Sequence, residues 1–142
     1  MKFTGIAASP GVGVGPIFRY EHEELAVRDT TVPEGAVERE IERFHAALAA
    51  SHADLSSIRD RIARELSEAE AEIYEAHLMI LDDPELKRAV ERRIRRERRN
   101  AAWAFRTHMA GVATRLNSVE AEHLRRKSAD ILDVERRVLR HL

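Results

Sequence analysis

The feature that most restricts this 142-residue chain is a change of period at Pro33. Five of the six glycines fall within the first 35 residues, together with the only stretches that alternate small and β-branched side chains. After Pro33 the apolar residues Val37, Ile41, Phe44, Leu48, Leu55, Ile58 and Ile62 recur at steps of three, four or seven. Steps of this kind put one apolar stripe on one face of an α-helix. A helix from Pro33 to about Leu66 would be roughly 50 Å long at 1.5 Å per residue. It must lie along a partner to cover its stripe.

Local signals divide the remainder. Pro33 suits a first helical turn, and Ser67 with Glu70 forms a capping box that opens a second helix running through Leu81. Asp83-Pro84 reads as N-cap and first residue of a third helix, with the stripe Leu86, Val90, Ile94. Asn100 is placed to cap a fourth, carrying Trp103, Met109, Val112 and Leu116. Ser118 is placed to cap a fifth, carrying Leu124, Ile131, Val134, Val138 and Leu142. The joins are short, so antiparallel neighbours and an all-α bundle of two helical hairpins follow. Ahead of it, Gly5–Ala8 and Val14–Tyr20 read as two short strands. They are too poor in apolar residues to stand alone and look like part of a sheet completed elsewhere. The expected division is 1–20 for that β remnant and 21–142 for the helical domain.

Composition narrows the chemistry. With no cysteine the chain has no disulfide, thiolate metal ligand or cysteine nucleophile. It shows no signal peptide and no apolar run long enough for a membrane span, so a cytoplasmic protein with no membrane partner is expected. Gly11-Val-Gly13-Val-Gly15 lacks the lysine and following helix of a phosphate loop and reads as a turn. No His-Glu-x-x-His or Gly-x-Ser-x-Gly motif is present, so no catalytic or metal-binding residue is assigned. Glu42-x-x-His45 and Glu120-x-x-His123 have the spacing of half a di-iron carboxylate site, but on a helical wheel neither pair aims both ligands inward. His77 shares a face with Tyr74 and Leu81 and reads as a satisfied core histidine.

Charge is unevenly spread. Residues 1–86 hold 8 Lys/Arg against 18 Asp/Glu, and residues 87–142 hold 16 against 7. The arginine-rich stretch 87–99 could serve a helical adaptor or nucleic-acid-binding module. However, Glu91 and Glu97 interrupt it and no aromatic residue within it offers base stacking. The second helix is apolar on two sides. Tyr74, His77, Leu78 and Leu81 suit the core, whereas Ile73, Ala76, Met79, Ile80 and Leu86 form another strip. Glu68, Glu72, Glu75, Asp83 and Glu85 rim that second strip. An apolar strip inside an acidic ring fits a partner with a basic rim and an apolar centre.

Three separated segments carry a resemblance. They are Gly5-Ile-Ala-Ala-Ser-Pro-Gly-Val-Gly-Val-Gly-Pro16, Ala71-Glu-Ile-Tyr-Glu-Ala-His-Leu-Met-Ile-Leu-Asp-Asp-Pro-Glu-Leu86 and Arg126-Lys-Ser-Ala-Asp-Ile-Leu-Asp-Val134. In this order and spacing the chain resembles the N-terminal quarter of Enzyme I, the phosphoenolpyruvate–protein phosphotransferases of the bacterial sugar phosphotransferase system. The resemblance implies a helical domain that docks the phosphocarrier HPr, with the first strands belonging to a neighbouring phosphohistidine domain. The family's Gly-Gly-x-Thr-Ser-His segment is absent, so these residues alone are expected to be inactive in phosphoryl transfer. No cofactor is implied for them, and phosphoenolpyruvate with Mg2+ would belong to the C-terminal part of the enzyme. The implied HPr-docking residues are Glu68, Glu72, Ile73, Glu75, Met79, Ile80, Asp83, Glu85, Leu86, Leu116 and Lys127. Ala69 stands where relatives often carry a second acidic residue and Lys127 where they usually carry Arg, a change that removes a bidentate donor. Relatives that serve nitrogen regulation or dihydroxyacetone phosphorylation share the domain.

Overall fold

The computed structural model describes residues 11–12, 14–16, 25–119 and 121–142, and the side chains of all of these but 123–126. The two expected strands lie outside the described residues, apart from Val14, Gly15 and Pro16. Five α-helices follow: α1 Val37–Glu65, α2 Glu68–Asp82, α3 Pro84–Glu97, α4 Ala101–Asn117 and α5 Glu122–His141. The architecture is the expected all-α bundle. Helix α1 pairs with α2 and α4 with α5 as two hairpins, while α3 links them and packs on α4 and α1. Among the described residues no helix is long and apolar enough to cross a membrane.

Capping explains most of the boundaries. Pro33 precedes a 3-10 turn over Glu34–Ala36 instead of sitting in the first turn of α1. Ser67 Oγ accepts from the Glu70 amide at 3.3 Å and donates to Glu70 Oε2 at 2.7 Å. Asp83 accepts from the Glu85 amide at 2.8 Å, with Pro84 filling the position that needs no donor. The expected cap of α5 is a correction. Ser118 closes α4: its amide is bonded to Thr114 O and its hydroxyl donates to Arg115 O. Helix α5 starts four residues later, after Ala121, which offers no side-chain cap.

The α3–α4 corner is held by the extended segment before α1. Arg98 adopts φ 49°, ψ 45° at the end of α3, a left-handed conformation costing roughly 1–2 kcal/mol in a residue with a Cβ. Neighbouring bonds fix it: Val32 N–H donates to Arg98 O at 2.8 Å, and Asn100 N–H to Thr30 O at 3.0 Å. The Asn100 side chain accepts from Trp103 N–H at 3.2 Å and donates to Arg28 O at 2.9 Å. Asn100→Ala is therefore expected to cost about 1–2 kcal/mol, read as a lower urea midpoint. Asn100→Asp, which keeps the acceptor and loses the donor, should recover about half.

The core runs through both hairpins. Phe44 of α1 meets Phe105 of α4 with ring centroids 5.8 Å apart, and Leu55, Leu81, Val90, Ile94, Met109, Val134 and Val138 are likewise fully enclosed, as is Ser51. On α4 the stripe differs from expectation. Ala101, Ala104, Phe105, Met109 and Ala113 are buried, while Trp103, Val112 and Leu116 are half-buried at its edge. Alanines on the inner face let neighbouring backbones approach closely, which pushes the larger side chains to the flanks. Trp103 is flanked by Arg93 and Arg99, each 5.9 Å from its ring centroid.

Candidate partner-docking face

A cavity of about 420 Å³ opens between the two hairpins. Helix α2 contributes Ala76, Met79 and Ile80, and the α2–α3 junction contributes Asp83 and Leu86. Helix α4 contributes His108, Met109 and Val112, while α5 contributes Lys127, Asp130 and Ile131. The groove exists because α2 turns sharply into α3 at Asp83-Pro84, so both α2 and the start of α3 border one depression above α4 and α5. Its lining is mostly apolar, with a few convergent polar groups, as in sites that hold another molecule.

Five of the eleven expected docking residues line this groove: Met79, Ile80, Asp83, Leu86 and Lys127. Met79 is 74% exposed, a large apolar side chain presented to solvent. Leu86 is corrected: at 5% exposure it belongs to the core stripe with Val90 and Ile94 and forms the floor, not the exposed strip. Ile73 is 62% exposed but stands outside the groove. Leu116 is half-buried against the core and also outside it.

The acidic ring is present, yet much of it is paired within the chain. Arg59 of α1 reaches Glu75 at 2.8 Å and Glu68 at 3.4 Å. Glu85 meets Arg92 at 2.7 Å and Arg88 at 3.2 Å, and these guanidiniums, Arg92 first, hold its carboxyl below the usual carboxylate range. Asp83 spends one oxygen on the start of α3. Glu72 is exposed and has no partner among the described residues. The carboxylates therefore offer less uncompensated charge than the sequence implies. Lys127 Nζ lies 3.1 Å from Asp130 Oδ2.

His108, Met109, Val112, Asp130 and Ile131 complete the groove, although none was singled out as a docking residue. Met109 and Val112 carry the α4 stripe, and Asp130-Ile131 belongs to the third resemblance segment. His108 carries no signal beyond being a titratable group on an otherwise apolar face. Burial, and then Arg115 and Arg93, depress its imidazole below the ordinary range against the smaller opposing pull of Asp83 and Glu85.

His77 is buried, at 7% exposure, but not satisfied. Among the described residues its Nε2 has no hydrogen-bond partner; it stands 3.6 Å from Asp130 Oδ1, while Lys127 lies 3.1 Å from the other oxygen of that carboxylate. Glu42 and His45 are exposed, and His45 Nε2 lies 2.7 Å from Glu91 Oε1 of α3. Glu120 and the His123 side chain lie outside the described residues. Among those described, no group of three or more histidines and carboxylates is placed to hold a metal ion. The arginine run is largely neutralised: Arg93 pairs with Glu97, Arg95 with Glu38, Arg98 with Glu34 and Arg99 with Asp29. A solvated face laced by ion pairs leaves little free charge for a phosphate backbone.

Comparison with known proteins identifies the family and the fold. A family model described as "PEP-utilising enzyme, N-terminal" matches residues 4–127. The chain is 41% identical over 141 residues to the phosphoenolpyruvate-protein phosphotransferase of Priestia megaterium, 38% to that of Listeria innocua and 34% to that of Bacillus subtilis. Each alignment covers 99% of this chain, and the chain spans 24% of the length of those curated relatives. Among solved structures, it superposes on a solution structure of Enzyme I with TM-score 0.79 and 31% identity. That match covers 84% of this chain and 48% of the other. It superposes on the N-terminal domain of Enzyme 1 – Nitrogen with TM-score 0.74 and 21% identity, covering 81% and 47%, which is a likeness of fold.

Proposed function

The chain belongs to the family described as PEP-utilising enzyme, N-terminal, and from that premise we propose that it is the HPr-docking part of a phosphoenolpyruvate–protein phosphotransferase. The observation that carries the proposal is a coincidence of sequence and space. Met79, Ile80, Asp83, Leu86 and Lys127, brought together by the resemblance from two distant segments, line one groove. Residues 21–142 would form the docking domain, and residues 1–20 would contribute strands to a neighbouring phosphohistidine domain. Phosphoenolpyruvate, Mg2+ and the phosphorylated histidine would belong to the remainder of the enzyme, and the whole would work in the cytoplasm.

The role is positioning. HPr in this family presents an apolar patch with basic flanks, which suits the exposed Met79 and half-buried Ile80 beside Glu72, Glu75 and Asp83. The carboxylates would steer encounter, and the apolar centre would supply affinity by losing water. Holding the carrier's histidine near the phosphohistidine converts a bimolecular transfer into an effectively unimolecular one. Arg59 and Arg92 already engage the rim, so basic groups of HPr would exchange with them and part of the electrostatic gain would be lost.

The test is a calorimetric titration of the 142-residue chain with HPr at low and moderate salt. Saturable one-to-one binding that weakens with salt is expected, and no binding by a folded chain would overturn the proposal. Glu72→Lys reverses the rim charge that has no partner among the described residues, so it should weaken binding about three- to tenfold at low salt and less at high salt. Arg96→Gln, on the arginine-rich face, should leave HPr affinity unchanged. A nucleic-acid module would show the reverse pattern.

A further inference from the structure

We propose that His108 makes docking at this groove pH-dependent: a partner with an apolar centre and basic rim binds over the neutral imidazole and is released when the ring takes up a proton. The inference rests on the docking reading and adds a means of control to it.

The argument begins with placement. His108 lies on α4 in the wall of the groove, beside Met109 and Val112 and opposite Met79 and Ile80 of α2. Its ring is half-buried and makes no hydrogen bond or ion pair among the described residues. A partner seated on Met79 would cover the part of the ring still open to water.

The charged groups around it decide what a proton would do there. Arg115 of α4 and Arg93 of α3 disfavour a second positive charge, while Asp83 and Glu85 at the α2–α3 junction favour one. From α5, Lys127 and Asp130 also line the cavity. Each of the three carboxylates has another partner, however, Asp83 through one oxygen only. Asp83 accepts from the Glu85 amide, Glu85 is held by Arg92 and Arg88, and Asp130 is held by Lys127. Among the described residues none of the three lies within hydrogen-bond or ion-pair distance of the His108 ring, and burial already favours the neutral ring. Docking would strengthen both effects, because it removes water and brings further cations. Protonation and docking therefore oppose each other. By linkage, binding releases a proton, and affinity falls as pH drops through the imidazole range. The sign is the reverse of acid-driven pairing between a histidine and a carboxylate.

The experiment is a titration of the 142-residue chain with HPr at steps from about pH 8 to about pH 5.5, repeated with His108→Gln and His108→Val. HPr's own titrating groups are common to all three series and cancel in the comparison. The wild-type Kd is expected to rise about two- to fourfold more than that of either variant across this range. A downward displacement of one pH unit in the ring's titration on docking gives its full tenfold difference only below the titration of both states, and at about pH 5.5 only part of that factor is read. The imidazole proton resonance of His108 should move in the same sense when HPr is added. Parallel pH profiles for wild type and both variants, with normal binding at about pH 8, would overturn the role of His108 and leave docking intact. Absence of binding at about pH 8 would overturn the docking reading itself, and this inference with it.

Discussion

Phe105→Ala is expected to destabilise the chain by about 3–5 kcal/mol, the range for removing a fully enclosed aromatic side chain. Phe105 is completely buried on α4 and faces Phe44, which is completely buried on α1. The pair therefore spans the boundary between the two hairpins. Removing one ring loses its own transfer free energy and leaves a cavity that the other cannot fill, because Phe44 is fixed by α1. For a domain whose total stability is on the order of 5–15 kcal/mol, this is a large fraction. The measurement is urea denaturation followed by circular dichroism. Leu132→Ala, on the exposed side of α5, is the control and should stay within about 0.5 kcal/mol of wild type. A loss below about 1 kcal/mol at Phe105 would mean that the two hairpins are stabilised separately.

How much of this was legible in the sequence depends on which physical signal each element carried. Apolar period and side-chain caps fixed the helices where both were present. Ser67, Asp83-Pro84 and Asn100 each name a boundary that the structure keeps. Ser118 misled because a serine before a helix can equally close the preceding one, and the choice depends on which orphan groups are nearer. The burial of α4 was misjudged because alanines carry no amphipathic signal, although they set how closely helices approach. Leu86 reads from the sequence on two faces, the core stripe of α3 and the outer strip of α2, and the structure keeps the first. A strip read along α2 continues smoothly to residue 86, but the turn at Asp83-Pro84 rotates Leu86 into the core.

The proposed docking face was legible as an α2 strip and illegible as a groove. One helix wheel can show which side chains share a face but not which distant helix forms the opposite wall. The walls from α4 and α5, with His108 and Asp130, arise only from the packing of one hairpin on the other. Charge was legible in count and misleading in effect. Arg59 sits on α1 in the run Arg59-Asp60-Arg61, and only the antiparallel α1–α2 pairing brings it beside Glu68 and Glu75.

The pairing of that rim makes one further substitution decisive. Met79→Asp is expected to weaken HPr binding at least a hundredfold, about 2.7 kcal/mol. Met79 is 74% exposed on free α2, so the change should leave folding within about 0.5 kcal/mol of wild type, and loss of binding is then a property of the interface. In a complex the same position would be covered, and a carboxylate there would surrender its water without a partner, a cost of several kcal/mol. Met79→Leu keeps the apolar volume and should bind within about threefold of wild type. The sign separates two views of the face. If long-range attraction between an acidic surface and a basic carrier dominated, an added negative charge would tighten binding and raise the association rate. If desolvation of an apolar centre dominates, the same charge abolishes it. Since Arg59, Arg88 and Arg92 already compensate Glu75 and Glu85, the second outcome is the expected one, and tighter binding by Met79→Asp would overturn the assignment of this groove as the apolar centre of the docking face.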